Sequence, residues 1–99
     1  MIAVIGTFRL PLDRQDEAAP AMRVVVEATL REAGCRAYSY ARDVVDPEVF
    51  RVTEMWDNRA SLAAHFAAPH MVLWVEQRQA MGFHDRQIHL HEIGEGEPV

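Results

Sequence analysis

The sequence predicts an α+β fold whose elements run β, α, β, β, α, β. Three observations point there. Four segments, Ile2–Leu10, Cys35–Asp43, Phe50–Trp56 and Phe83–Ile93, carry strand patterning. Two others place apolar residues at helical spacing and stop at glycines, Gly34 and Gly82. The second and third strands are separated only by a turn at Asp46-Pro47, which no helix could fill.

In the first strand, alternation puts Ile2, Val4, Gly6, Phe8 and Leu10 on one face and Ala3, Ile5, Thr7 and Arg9 on the other. Both faces begin apolar, as in a sheet covered on both sides. Pro11 ends the strand because it cannot donate to the ladder. Asp13 or Asp16 can cap the first helix, and Pro20 fits only its first turn, so the helix is expected to begin between residues 16 and 19. Met22, Val25, Val26, Thr29 and Ala33 share its inner face, with Leu30 beside them. Arg23, Glu27, Arg31 and Glu32 fall on the wet side.

The second strand sets Cys35, Ala37, Ser39 and Ala41 against Arg36, Tyr38, Tyr40 and Arg42. The third sets Phe50, Val52, Glu54 and Trp56 against Val49, Arg51, Thr53 and Met55. A turn at Asp57-Asn58 leads into a short helix, Arg59–Ala67, lined by Ser61, Leu62, His65 and Phe66. Pro69 opens a further helix with the stripe Met71, Trp74, Val75, Arg78 and Met81. The last strand is polar and carries His84, His89 and His91.

This order is the split βαβ, ferredoxin-like arrangement. One domain is expected over residues 1–93, with 94–99 as a flexible tail. Helices on one face would leave the other bare and rich in Ile, Val, Phe and Tyr, so a homodimer packed sheet to sheet is expected. A chain of 99 residues buries only roughly 60–65% of its extended surface, and pairing would enlarge that thin core.

Composition narrows the function. The net charge is −5 with no basic block, which argues against nucleic acid as a partner. No apolar run is long enough to span a membrane, and the opening Met-Ile-Ala-Val-Ile-Gly lacks the basic start of a signal peptide. Cys35 is the sole cysteine, which suits a reducing compartment, and a cytoplasmic location is expected. No Ser-His-Asp pattern, phosphate loop or dinucleotide fingerprint is present.

Four stretches carry a resemblance: Ala3–Leu10 (AVIGTFRL), Glu32–Tyr40 (EAGCRAYSY), Phe50–Trp56 (FRVTEMW) and Leu62–Met71 (LAAHFAAPHM). With its E-x-W and H-x-x-x-P-H patterns, the chain resembles the antibiotic biosynthesis monooxygenase (ABM) domain, nearest its quinol monooxygenase branch. The resemblance implies a dimeric α+β barrel of two ferredoxin-like subunits. It also implies a small oxygenase acting on a quinol or polycyclic phenol with O2 and no metal or organic cofactor. The haem-degrading branch is disfavoured, because Gly6 and Thr7 stand where it uses Asn, and His65 where it uses Trp. Other members of the family isomerise or bind metabolites. The alternatives are therefore a non-catalytic, stress-associated binding protein and an isomerase using the same histidine.

Such an oxygenase needs a base. Triplet O2 reacts poorly with closed-shell organics, whereas a deprotonated quinol can pass it an electron. His65 and His70 are candidate bases, since neutral imidazole is available near pH 7. Their bland reading is hydrogen bonding at the helix break. Glu54, on an apolar strand face, is either an orienting carboxylate or a structural link, since a buried carboxylate needs a partner or a proton. Phe8, Tyr38, Tyr40, Trp56, Phe66 and Trp74 are candidate substrate walls, although such aromatics are more often core. His89 and His91 share a strand face at metal spacing. His84 has the wrong parity to join them without a bulge, so no metal site is expected.

Overall fold

The computed structural model describes residues 1–99. Strands β1 (Ile2–Arg9), β2 (Cys35–Arg42), β3 (Val49–Trp56) and β4 (His84–Glu92) form one antiparallel sheet in the order β2-β3-β1-β4. Helices α1 (Gln15–Leu30), α2 (Arg59–Ala67) and α3 (Pro69–Ala80) complete the expected ferredoxin-like topology. The core gathers Ile2, Val4, Val25, Trp56, Met71 and Trp74 between helices and sheet. Full burial of an apolar side chain such as Phe8, Leu10 or Val25 contributes roughly 1.5–3 kcal/mol.

Register decides what the helices see. Leu90, Val4, Glu54 and Tyr38 stand in one row across the sheet, and Ile88, Gly6, Val52 and Tyr40 in the next row on the same face. Gly6 leaves that second row without a side chain at its centre. A Cβ there would meet the Gln87 carbonyl oxygen at 2.0 Å, so β4 can approach β1 this closely only past a glycine.

Several expectations need correction. α1 begins at Gln15, after a 3-10 turn at Leu12–Arg14, and Pro20 lies inside the helix beyond its first turn. The helix start is anchored from the side. Buried Gln15 donates through Nε2 to the Leu10 carbonyl (3.1 Å) and the Pro47 carbonyl (2.8 Å), tying the helix to both neighbouring loops. Pro20 removes one helical hydrogen bond, and these anchors offset part of that loss.

Cys35 does not share a face with Ala37, Ser39 and Ala41. Cys35 pairs with Trp56 and Ala37 with Met55, so Arg36 is an extra residue and Cys35 turns toward the core. Burial, followed by the charges of Glu32 and Glu54, pushes its thiol up, which makes it a poor nucleophile. On β4, Asp85 at φ 53° marks a second irregularity, and His84 pairs with Arg9. The bulge restores the parity that a regular strand would deny His84, yet His84 stays at the far end of β4 from His89 and His91.

The uncovered face is also less apolar than expected. Phe8, Phe50, Tyr38 and Tyr40 belong to the covered side. The open side carries Ile5 (44% exposed), Thr7, Thr53, Met55, His89 and His91. In α3, Met71 and Trp74 are buried, whereas Val75 is exposed. Gly82 follows the end of α3 at φ +90°, as the sequence predicts, whereas α1 already stops at Leu30 and Gly34, at φ +81°, closes the turn beyond it. Residues 94–99 form no helix or strand, although Glu95 meets Arg36 at 2.9 Å.

Candidate functional site

A cavity of about 260 Å³ lies between the sheet and the helices. The two rows of the covered face make its floor: Val4, Glu54 and Tyr38, then Val52, Tyr40 and Ile88. Leu62 and Phe66 of α2 and Arg78 of α3 face it, and Arg86 closes its rim on β4. Most of this wall is apolar. The polar groups are two phenols, one carboxyl and two guanidinium groups, with His89 at the edge.

The polar groups differ in how they are held. The Tyr38 and Tyr40 hydroxyls are 2.9 Å apart, and Trp74 Nε1 donates to the Tyr40 oxygen at 3.2 Å. Burial pushes both phenols well above their ordinary range, so both stay protonated at neutral pH. Trp56 Nε1 donates to Glu54 Oε1 at 3.0 Å. Burial raises the Glu54 carboxyl above the usual range, against the lowering effects of that bond and of Arg86.

A second cluster sits behind this wall. Glu32, in the turn after α1, accepts from or shares a proton with His65 Nδ1 at 2.7 Å. His70 Nε2 lies 3.1 Å from the other carboxylate oxygen, in an orientation that forms no hydrogen bond, and 3.4 Å from Thr29 Oγ1. On one continuous helix, residues five apart would point roughly 140° away from each other. The break at Ala68 (ψ 141°) and the restart at Pro69 remove that constraint and bring both imidazoles to one carboxylate. His65 is 1% exposed, and burial holds its pKa below the usual histidine value despite the Glu32 bond. Its Nε2 is buried without a partner.

Of the residues chosen from sequence, Glu54, Tyr38, Tyr40 and Phe66 line the cavity. Phe8, Trp56 and Trp74 are fully buried behind it: Phe8 stacks on Phe83 at 4.8 Å, Trp56 braces Glu54 and Trp74 braces Tyr40. His65 and His70 do not line it. Tyr38 stands between, its ring centre 5.5 Å from that of His65. The sequence reading placed Glu32 on the wet side, but it is half-buried between two histidines. Arg86 was legible by alternation with Ile88 and Leu90, but the reading of the last strand followed only its histidines. Arg78 was legible only as part of the α3 stripe.

The residues able to hold a metal are not His89 and His91 but Glu32, His65 and His70, whose ligand atoms lie within 4.8 Å of one another. Two histidines and a carboxylate are a set transition metals accept. The short Glu32–His65 distance is also met by a hydrogen bond alone.

The family model for antibiotic biosynthesis monooxygenase matches residues 1–77, and the chain belongs to that family. A protein of Deinococcus radiodurans, a proposed antibiotic biosynthesis monooxygenase, superposes with a TM-score of 0.92 at 25% identity, over 100% of this chain and 98% of that one. A second solved structure, of an antibiotic biosynthesis monooxygenase, gives 0.86 at 30% identity, covering 96% of this chain and all of that one. A Bacteroides thetaiotaomicron protein of unknown function, proposed as an oxidoreductase, gives 0.83 at 25% identity, covering 93% and 96%. An uncharacterised Synechocystis protein is 29% identical over 95% of this chain, which spans 64% of that relative's length.

Proposed function

We propose that this chain uses O2 to oxidise a quinol or phenol of one or two rings, held in the 260 Å³ cavity. The observation that carries the reading is Glu54: a buried carboxyl of raised pKa on a wall that is mostly apolar and aromatic. A carboxylate made more basic by burial is a better proton acceptor at neutral pH. The volume, about 260 Å³, lies just below the usual range of ligand pockets, which run from about 300 Å³ upward, so the polycyclic phenols of the sequence reading give way to smaller rings.

The chemistry balances without another reactant. Glu54 takes a quinol proton, and the quinolate passes one electron to O2. The semiquinone and superoxide combine at carbon. Loss of water from the resulting hydroperoxide leaves a hydroxyquinone: quinol plus O2 gives hydroxyquinone plus H2O. The protein supplies orientation, a proton acceptor and a site poor in water. In this assignment His65 positions Tyr38 and α2 rather than touching substrate. Two copies pairing across the open sheet face is part of the proposal, supported by Ile5 standing exposed on a central strand.

Oxygen uptake tests the reading. Chelator-treated protein is mixed with reduced 1,4-naphthoquinol, beside a boiled control for autoxidation. Uptake above the control that falls at least tenfold in Glu54→Gln is expected. Uptake lost in His65→Asn but kept in Glu54→Gln returns the base to His65. Binding of naphthoquinone with no uptake across a panel of quinols and phenols replaces the oxygenase with a binding protein.

A further inference from the structure

Arg78 and Arg86 face one cavity, and no carboxylate lies within ion-pair distance of either. Neither makes a hydrogen bond or ion pair within the chain, whereas Arg9, Arg14, Arg36, Arg51 and Arg59 all meet carboxylates. Arg23, Arg31 and Arg42 are unpaired too; they lie exposed, as Arg86 does, but only Arg86 shares a cavity with a half-buried guanidinium. Arg78 is half-buried. Burial and the neighbouring Arg86 charge both work against its guanidinium. A desolvated cation beside a like charge is costly unless an anion joins them. The carboxyl on the same wall, Glu54, is already engaged by Trp56 and forms no ion pair with either guanidinium.

We infer that the cavity takes an anionic ring compound, a carboxylated phenol or quinol, whose carboxylate lies between Arg78 and Arg86 while its ring rests on the apolar floor. Guanidinium forks suit a planar carboxylate bidentately. The position is directional. Arg78 comes from α3 and Arg86 from the β4 rim, so the acid group sits toward the mouth. The ring then lies over Val4 and Val52, with Glu54 and the two tyrosine hydroxyls available to its oxygens. The inference rests on the reading that this cavity is the substrate site, and it names the class of substrate.

The test is binding, measured by calorimetry under argon so that no turnover intrudes. The probes are 1-hydroxy-2-naphthoate and its neutral isostere, 1-hydroxy-2-naphthamide. The naphthoate is expected to bind at least about tenfold tighter, the margin of a charge-assisted hydrogen bond. Arg78→Gln and Arg86→Gln each remove about tenfold of naphthoate affinity and leave naphthamide affinity within about twofold. Arg86 is exposed, so its replacement keeps the test available if Arg78→Gln fails to fold. Equal affinity for the two probes, an unchanged preference in Arg86→Gln, or no naphthoate binding at millimolar concentration overturns the inference. Its failure is separable from that of the oxygenase. Arginine-dependent naphthoate binding without oxygen uptake discards only the oxidation, and oxidation of neutral quinols without preference for the acid discards only the anion.

Discussion

The two polar clusters of this protein are built on opposite terms. Behind the cavity, one carboxylate, Glu32, serves two imidazoles, and three segments of chain converge on it. Inside the cavity, two guanidinium groups share no anion, and a carboxyl is held by a single indole. The first cluster draws its contacts from within the chain, with His65 Nε2 and one Glu32 oxygen left without hydrogen-bond partners, and its natural work is to fix α2 and α3 against the end of α1. The second leaves its charges open, which costs stability and leaves sites for a ligand. Placing a strained, unpaired set on a rigid backing is how a small domain can hold a binding site without losing its fold.

Removing the backing tests this contrast most severely. Glu32→Ala leaves both histidines without their carboxylate and is expected to cost about 1.5–3 kcal/mol, read by urea unfolding. Arg78→Gln removes an unpaired charge and is expected to change stability by less than about 0.5 kcal/mol, or to raise it. Equal losses in the two variants would dissolve the distinction.

A smaller effect is expected at the join between core and cavity. Trp56→Phe keeps most of the ring but leaves Glu54 Oε1 without its donor, at a cost of about 1–2 kcal/mol. Because the lost bond favoured the charged carboxylate, the Glu54 pKa rises further, and the acidic limb of any activity profile moves to higher pH.

The clusters should also respond to pH with opposite signs. The pKa of His65 is depressed from its ordinary 6.5, so the unfolded chain binds the proton more readily, and stability falls as pH drops below about 6.5 toward the folded value. Glu54 is raised from 4.5, so the folded chain binds the proton more readily. Its contribution is present below about 4.5 and is lost as pH rises through the folded value. Unfolding titrations should therefore show Glu54→Gln gaining on the wild type as pH rises. His65→Asn should lose the fall toward low pH. The smallest effect is expected at Phe66, which is 60% exposed at the cavity wall. Phe66→Ala should weaken ring binding several-fold and move stability by less than about 0.5 kcal/mol.

The sequence alone determined the element order, the helix stop at Gly82, and the grouping of Phe50, Val52, Glu54 and Trp56 on one strand face. Those features depend on local periodicity and on backbone angles that glycine permits, so they are written in neighbouring residues. Tertiary structure decided the site. Each strand's parity was legible, yet which face of β2 joins which face of β3 depends on register, and a one-residue slip exchanges every side chain. The extra residue at Arg36 moved Cys35 into the core, and the irregularity at Asp85 put His84 on the face of His89 and His91. The meeting of Glu32 with His65 and His70 spans more than thirty positions of chain and turns on the break at Pro69. Such pairings are set by packing free energy across the whole domain, not by the pattern of any one segment.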